Sequence, residues 1–294
     1  MTNIKLSVLC TGVTLRKWIG NKRIYSVAAV IIVFCFYTFW CLRQYASIVE
    51  MPVTPWVFPF FLSFPVMVMV YGCMAALLFC NAPFTDNQMP FLIIRTGRRN
   101  FMIGQLFYIV IAAFFFNLLI AIASGLALAP NIVLSSDWGI VLKSFANDPQ
   151  SALGTSSLVI TVAIAPAVLD YFTPVTAMLT AFLLMWLVTI FIGMVILFFN
   201  VVVGKLSGLI AIGVLIFFSY FSFYLGNLLF GGITYFFSPL SWCNIYALDF
   251  ISDGKSIPSP GYAVLVLSTL IIIMGTVSVI AFSKKDMDYQ EWRD

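Results

Sequence analysis

The richest chemistry in this chain lies in one polar stretch, Asn81 to Gln105, NAPFTDNQMPFLIIRTGRRNFMIGQ. It carries one acid, Asp86, and three guanidinium groups, Arg95, Arg98 and Arg99. Histidine is absent, which removes the commonest metal ligand and general base. The six cysteines, Cys10, Cys35, Cys41, Cys73, Cys80 and Cys243, show no CxxC pair and no metal spacing. Cys35 and Cys73 sit inside apolar runs and read as small buried hydrophobes, so no disulfide framework is expected. Gly254-Lys255-Ser256 resembles the end of a phosphate-binding loop, but Asp249 stands where that motif needs its first glycine. With no Walker motif in the chain, any ATP-hydrolysing part belongs to a separate polypeptide.

Composition says what must hold these groups. The chain is 62% hydrophobic and 9% charged. Soluble domains carry about 25% charged residues, so this much apolar surface calls for a bilayer. Six stretches are long enough to cross a hydrocarbon core, near 24–42, 57–80, 101–129, 175–203, 206–230 and 262–282. The expected fold is all-α and polytopic. A cytoplasmic amphipathic segment (1–23) leads into a six-helix transmembrane domain (24–282), followed by a cytoplasmic tail (283–294). The first apolar run is too long for a signal-peptide core and no small-residue cleavage site follows it, so it reads as a retained span.

Charge placement sets the orientation. With the N-terminus inside, only Arg43, Lys143 and Lys255 of the fifteen basic residues fall outside. Lys5, Arg16, Lys17, Lys22, Arg23, Arg95, Arg98, Arg99, Lys205, Lys284, Lys285 and Arg293 all fall inside, as the positive-inside rule requires. Both termini are then cytoplasmic. None of the six spans holds Asp, Glu, Lys or Arg. Ion-coupled carriers usually place such groups in the membrane, and intramembrane hydrolysis needs a nucleophile with a base or a metal. An enzyme is not expected, and the chain binds no cofactor of its own.

The loop between the second and third spans reads as a short helix. Thr85 or Asp86 caps a start near Asn87, and Pro90 falls in the first turn, where no intrahelical donor is required. Phe91, Leu92, Ile93 and Ile94 continue it, and Gly97 ends it. Arg95, Arg98 and Arg99 then lie at the carboxyl end of its dipole. Such a helix docks by its apolar residues in a groove of a soluble partner; the plainer alternative is that the arginines only hold the loop inside. Lys205, in the tight turn between the fourth and fifth spans, is a second, smaller contact for such a partner.

Three further stretches carry paired readings. In 1–23, Ile4, Val8, Leu15, Trp18 and Ile19 share a helical face apart from Lys5, Arg16 and Lys17. That fits an interfacial helix on the inner leaflet, or an ordinary basic flank. Phe217, Phe218, Tyr220, Phe221, Phe223 and Tyr224 form an aromatic cluster on the fifth span. Phe217, Tyr220, Phe221 and Tyr224 line a route for an amphipathic cargo, or anchor and pack the helix. Residues 158–169, LVITVAIAPAVL, are too short to span; they re-enter the membrane or pack on neighbouring helices. The outer segment 231–260, with its helix breaks at Gly231-Gly232 and Ser238-Pro239, is aromatic enough to dip back in as well.

LRKWIGNKR (15–23), FLIIRTGRR (91–99) and SPLSW (238–242), set in this topology, resemble the membrane subunit of an ATP-binding-cassette exporter. The branch is the one whose permeases export drugs, peptides or polysaccharides. The resemblance implies that Asp86 to Arg99 docks on a cytoplasmic ATPase subunit, present in two copies, which binds ATP and magnesium. It implies a second permease, identical or homologous, paired around the pathway, in a bacterial inner membrane. No nucleic-acid partner is expected. One departure is plain: that family carries its prominent outer elements between spans five and six, whereas here the segment between spans three and four is longer. A stand-alone secondary carrier or channel, and a membrane sensor or scaffold, are the competing classes.

Overall fold

A computed structural model describes residues 4–83, 89–148, 160–250 and 256–284. Among them the chain is helical, and its one isolated β-bridge joins Val53 to Ile132. Helix α1 (Ile4–Arg16) leads through a 3-10 turn, Lys17–Gly20, into α2 (Lys22–Val49). Then follow α3 (Pro65–Phe79), α4 (Met89–Thr96) and α5 (Arg98–Leu126). Two short helices, α6 (Gly139–Asn147) and α7 (Pro166–Tyr171), precede α8 (Pro174–Val202). Helix α9 (Ser207–Phe221) continues through a π turn, Ser222–Gly226, into α10 (Asn227–Phe230), and α11 (Pro260–Lys284) closes the fold.

Five helical stretches are long and apolar enough to cross a membrane: α2, α5, α8, Ser207–Phe237 and α11. The chain is a multi-pass membrane protein. The expected stretch at 57–80 differs. Only Pro65–Phe79 of it is α-helical, about 22 Å of rise, short of the roughly 30 Å hydrocarbon core. Pro65 is the cause: it lacks a backbone donor and holds Phe64 extended (φ −100°, ψ 141°), so α3 begins there, and Pro59 upstream sits in a tighter turn. Residues 58–60 form a 3-10 turn instead, and Phe58, Phe60, Phe61 and Leu62 are buried. The first span runs longer than expected, to Val49, and stops at Glu50 in a left-handed conformation (φ 54°).

Helix α8 is the central element. In its most apolar window 67% of residues are buried, against 28–44% for the other four. It packs on α3, α5, α9 and α11. Its seam with α3 and α5 is polar at one level: the Tyr71 hydroxyl lies 3.0 Å from Asn117 Oδ1, 2.8 Å from the Met185 carbonyl and in contact with Thr189 Oγ1. Asn117 Nδ2 donates to Ala113 O (2.8 Å) and Thr189 Oγ1 (3.0 Å). Side-chain hydrogen bonds of this kind hold helices together where lipid offers no hydrophobic drive.

The ends of the helices differ in character. One end carries Arg16, Lys22, Arg23, Arg95, Arg98, Arg99, Lys205 and Lys284 and is called the basic end here. At the opposite end, loops weave a cap. Thr54 Oγ1 donates to Trp138 O (2.8 Å), Trp56 Nε1 to Ser135 O (2.6 Å) and Trp138 Nε1 to Phe172 O (2.8 Å). The described part of 158–169 runs outside any helix from Ile160 to Ala165 before α7. Thr161 Oγ1 donates to Thr38 O on α2 (2.7 Å), and the Tyr246 hydroxyl donates to Ala163 O (2.9 Å). Burial pushes the Tyr246 phenol above its ordinary pKa, which keeps it a neutral donor. SPLSW forms a 3-10 turn with Trp242 1% exposed. Its Ser241 hydroxyl meets Ser219 Oγ of α9 at 3.1 Å and Ser238 Oγ at 2.6 Å.

Candidate functional site

At the basic end, α4 is an eight-residue helix between α3 and α5. Pro90 is its second residue, inside the first turn as expected. Gly97 ends it: its N–H donates to Ile93 O (2.8 Å), and its φ of 81° with ψ of 149° suits only a residue without Cβ. Ile93 is 7% exposed and faces the protein, where α4 contacts α1 and α5. Phe91 is 70% exposed and Ile94 82%, with Arg95 exposed beside them. Two large apolar side chains and a guanidinium thus share the outer face of one eight-residue helix. Asp86, and the cap expected from Thr85 or Asp86, lie outside the described residues.

Arg98 and Arg99 are placed differently from the expectation. They open α5, so they sit in its first turn, at the positive end of that helix, where the expectation had them at the carboxyl end of α4. Gly97 alone separates the two helices, so Arg98 and Arg99 fall in the first turn of α5. The three arginines therefore divide into one on α4 and two at the head of α5.

Lys205 is exposed in the turn between α8 and α9. Asn200 ties that turn to the start of the α3–α4 loop. Its Nδ2 donates to Ala82 O (2.8 Å), while its Oδ1 accepts from Gly208 N (2.9 Å). Lys205 and α4 thus belong to the same end of the bundle.

The N-terminal segment is joined to this region by close packing. Ser7, Cys10, Thr11 and Thr14 are the buried face of α1. A Cβ on Gly104 of α5 would meet Cys10 Cβ at 2.7 Å and Ser7 O at 2.8 Å, and Thr11 Oγ1 donates to Gly104 O (2.9 Å). Ile4, Val8 and Ile19 of the expected apolar face point outward and are exposed. Arg16 is exposed and Lys17 half-buried. Trp18 turns inward, its indole N–H donating to the Tyr108 hydroxyl (2.9 Å) with its ring edge-on to Tyr108 and Phe115. The small polar face that fixes α1 to α5 has a readable sequence signal, the spacing of Ser7, Cys10, Thr11 and Thr14 opposite a lone Gly104, which the reading by hydrophobicity passed over.

The aromatic cluster on α9 does not line an interior of the single chain. Phe217 is 71% exposed and Tyr224 is exposed; Tyr220 and Phe221 are half-buried. Tyr220 and Tyr224 lie 4.8 Å apart, and Phe221 stacks on Phe218 at 6.2 Å. The π turn at Ser222–Gly226 falls within this cluster. Among the described residues no cluster of His, Cys, Asp or Glu has the makings of a metal site. Comparison with known protein families, curated proteins and solved structures finds no match to this chain.

Proposed function

We propose that this chain is the membrane permease subunit of an ATP-driven exporter of the ATP-binding-cassette type. The observation that carries the proposal is the outer face of α4, where Phe91, Ile94 and Arg95 stand exposed beside one another on a helix whose Ile93 is anchored in the protein. Exposed apolar side chains at i and i+3 on a short helix are a groove-docking pattern. The partner is a cytoplasmic ATPase, two copies per transporter, which holds ATP and magnesium and supplies the energy; the permease is not itself an enzyme. Lys205 adds a cation to the same surface, and Asp86 belongs to the proposed contact by sequence.

In this reading residues 57–64, buried from 57 to 62, and α3 together make the second of six crossings, both termini are cytoplasmic, and the membrane is a bacterial inner membrane. A second permease, identical or homologous, pairs with this one. The outward Phe217 and Tyr224, with Tyr220 and Phe221, then face a path shared by the pair, suited to an amphipathic peptide, a drug or a lipid-like cargo. Nucleotide binding biases the pair between access states through α4.

The test is a pull-down of the tagged chain from gently solubilised membranes. A co-purifying soluble protein with a Walker motif is the expected outcome. Gradient-driven flux by the purified chain alone in liposomes without ATP would favour a secondary carrier or channel instead. A partner lacking nucleotide-binding motifs would favour a sensor or scaffold.

A further inference from the structure

Behind α4, the head of α5 and the last turn of α11 bound a cleft of about 790 Å³. Arg98 and Arg99 line it from α5, and Lys284 and Ser283 from α11. Val279 and Ile280 form its apolar wall. Arg99 and Lys284 reach this space from the two helices, with Arg98 beside them. Gly97, at the N-cap of α5, has no side chain to cap that helix, so the positive end of its dipole falls in the same place. The like charges of Arg99 and Lys284 repel here, and an anion relieves the repulsion.

The surroundings select the kind of anion. Both helices are membrane-crossing candidates, and their charged ends mark where apolar surface gives way to polar. Phe101 of α5 and Phe282 of α11 stack at 6.0 Å and hold the two helices together beside the cleft. The apolar wall continues down α11 as an exposed strip, Ile280, Val277, Ile273 and Ile272. A free phosphate would use the cations and ignore the strip, and so would an acidic protein segment. A phospholipid uses both.

We propose that this cleft binds the phosphate of an anionic phospholipid, with its acyl chains laid along the exposed strip of α11. Basic pockets between crossing helices are suited to such headgroups. The site needs no ATPase partner, so its failure and the failure of the docking proposal are separate results.

The full chain is reconstituted in bilayers of phosphatidylcholine with phosphatidylglycerol, extracted in mild detergent, and its retained lipid is read by native mass spectrometry. The expected result is selective retention of phosphatidylglycerol, weakened roughly fivefold for each cation removed in Arg99→Gln and Lys284→Gln. Lys143→Gln, which removes an equal charge at the opposite end, retains the lipid. Ser283→Glu supplies a second route, placing a carboxylate in the cleft while every cation stays, and it too should release the lipid. Undiminished retention in Arg99→Gln/Lys284→Gln or in Ser283→Glu overturns the proposal. Displacement of the lipid by millimolar inorganic phosphate would reassign the cleft to free phosphate, and displacement by polyglutamate but not by phosphate would reassign it to a protein partner.

Discussion

The Tyr71 hydroxyl and Asn117 Oδ1 meet at 3.0 Å, fully buried between α3 and α5, with Thr189 of α8 closing the cluster. Each member satisfies another, so removing one is worse than removing two. Tyr71→Phe should lower stability by about 1–3 kcal/mol, because it takes a partner from Asn117 and Thr189 in a place water does not reach. Adding Asn117→Leu should recover part of that loss. Thermal unfolding in detergent with a double-mutant cycle measures the coupling; additive losses would mean that the cluster does not act as a unit.

Gly104 is where α1 and α5 come closest. Gly104→Val puts side-chain atoms where Cys10 Cβ and Ser7 O already lie. The expected cost is about 1–3 kcal/mol, and α1 should lift from α5. Cys10, 1% exposed in the native fold, should then react with maleimide, as read by peptide mapping. Continued protection of Cys10 would show that α1 is held elsewhere.

Phe91 and Ile94 give the docking proposal its sharpest check. Both are exposed, so Phe91→Ser with Ile94→Ser should leave the stability of the isolated chain within about 0.5 kcal/mol. The same pair should abolish co-purification of the ATPase. Arg95→Glu should weaken that association by reversing a charge at the rim, with a strong dependence on salt. Equal recovery of the ATPase with all three substitutions would sink the docking role.

Gly97→Ala isolates the joint between α4 and α5. The native φ of 81° with ψ of 149° strains any residue that bears Cβ, at a cost of about 1–3 kcal/mol. The open space around Gly97 means that no steric clash contributes. A loss of ATPase stimulation larger than the loss of thermal stability would tie the geometry of the joint to coupling.

The elements that sequence made legible are those governed by local rules. Long uncharged runs marked α2, α5, α8, the Ser207–Phe237 stretch and α11, because a bilayer imposes one length scale on all of them. Pro90 and Gly97 marked both ends of α4 through their own backbone limits. What escaped depends on partners distant in the chain. The shortening of α3 was written in Pro65, yet hydropathy averages over prolines. The non-helical path of 160–165 rests on Thr38 and Tyr246, which no local pattern announces. The split of Arg95 from Arg98 and Arg99 turns on one residue, Gly97, serving as both the stop of one helix and the start of the next.

That shared residue has a mechanical consequence. Helix α4 is an arm about 12 Å long and α5 a shaft about 44 Å long, and one peptide-scale pivot joins them. No residue other than Gly97 lies between the helix that carries Ile94 and the shaft. The shaft is clamped to α1 at Gly104 and to α8 through Asn117 and Thr189. The residue that ends α4 therefore begins the helix on which α1 and α8 both pack.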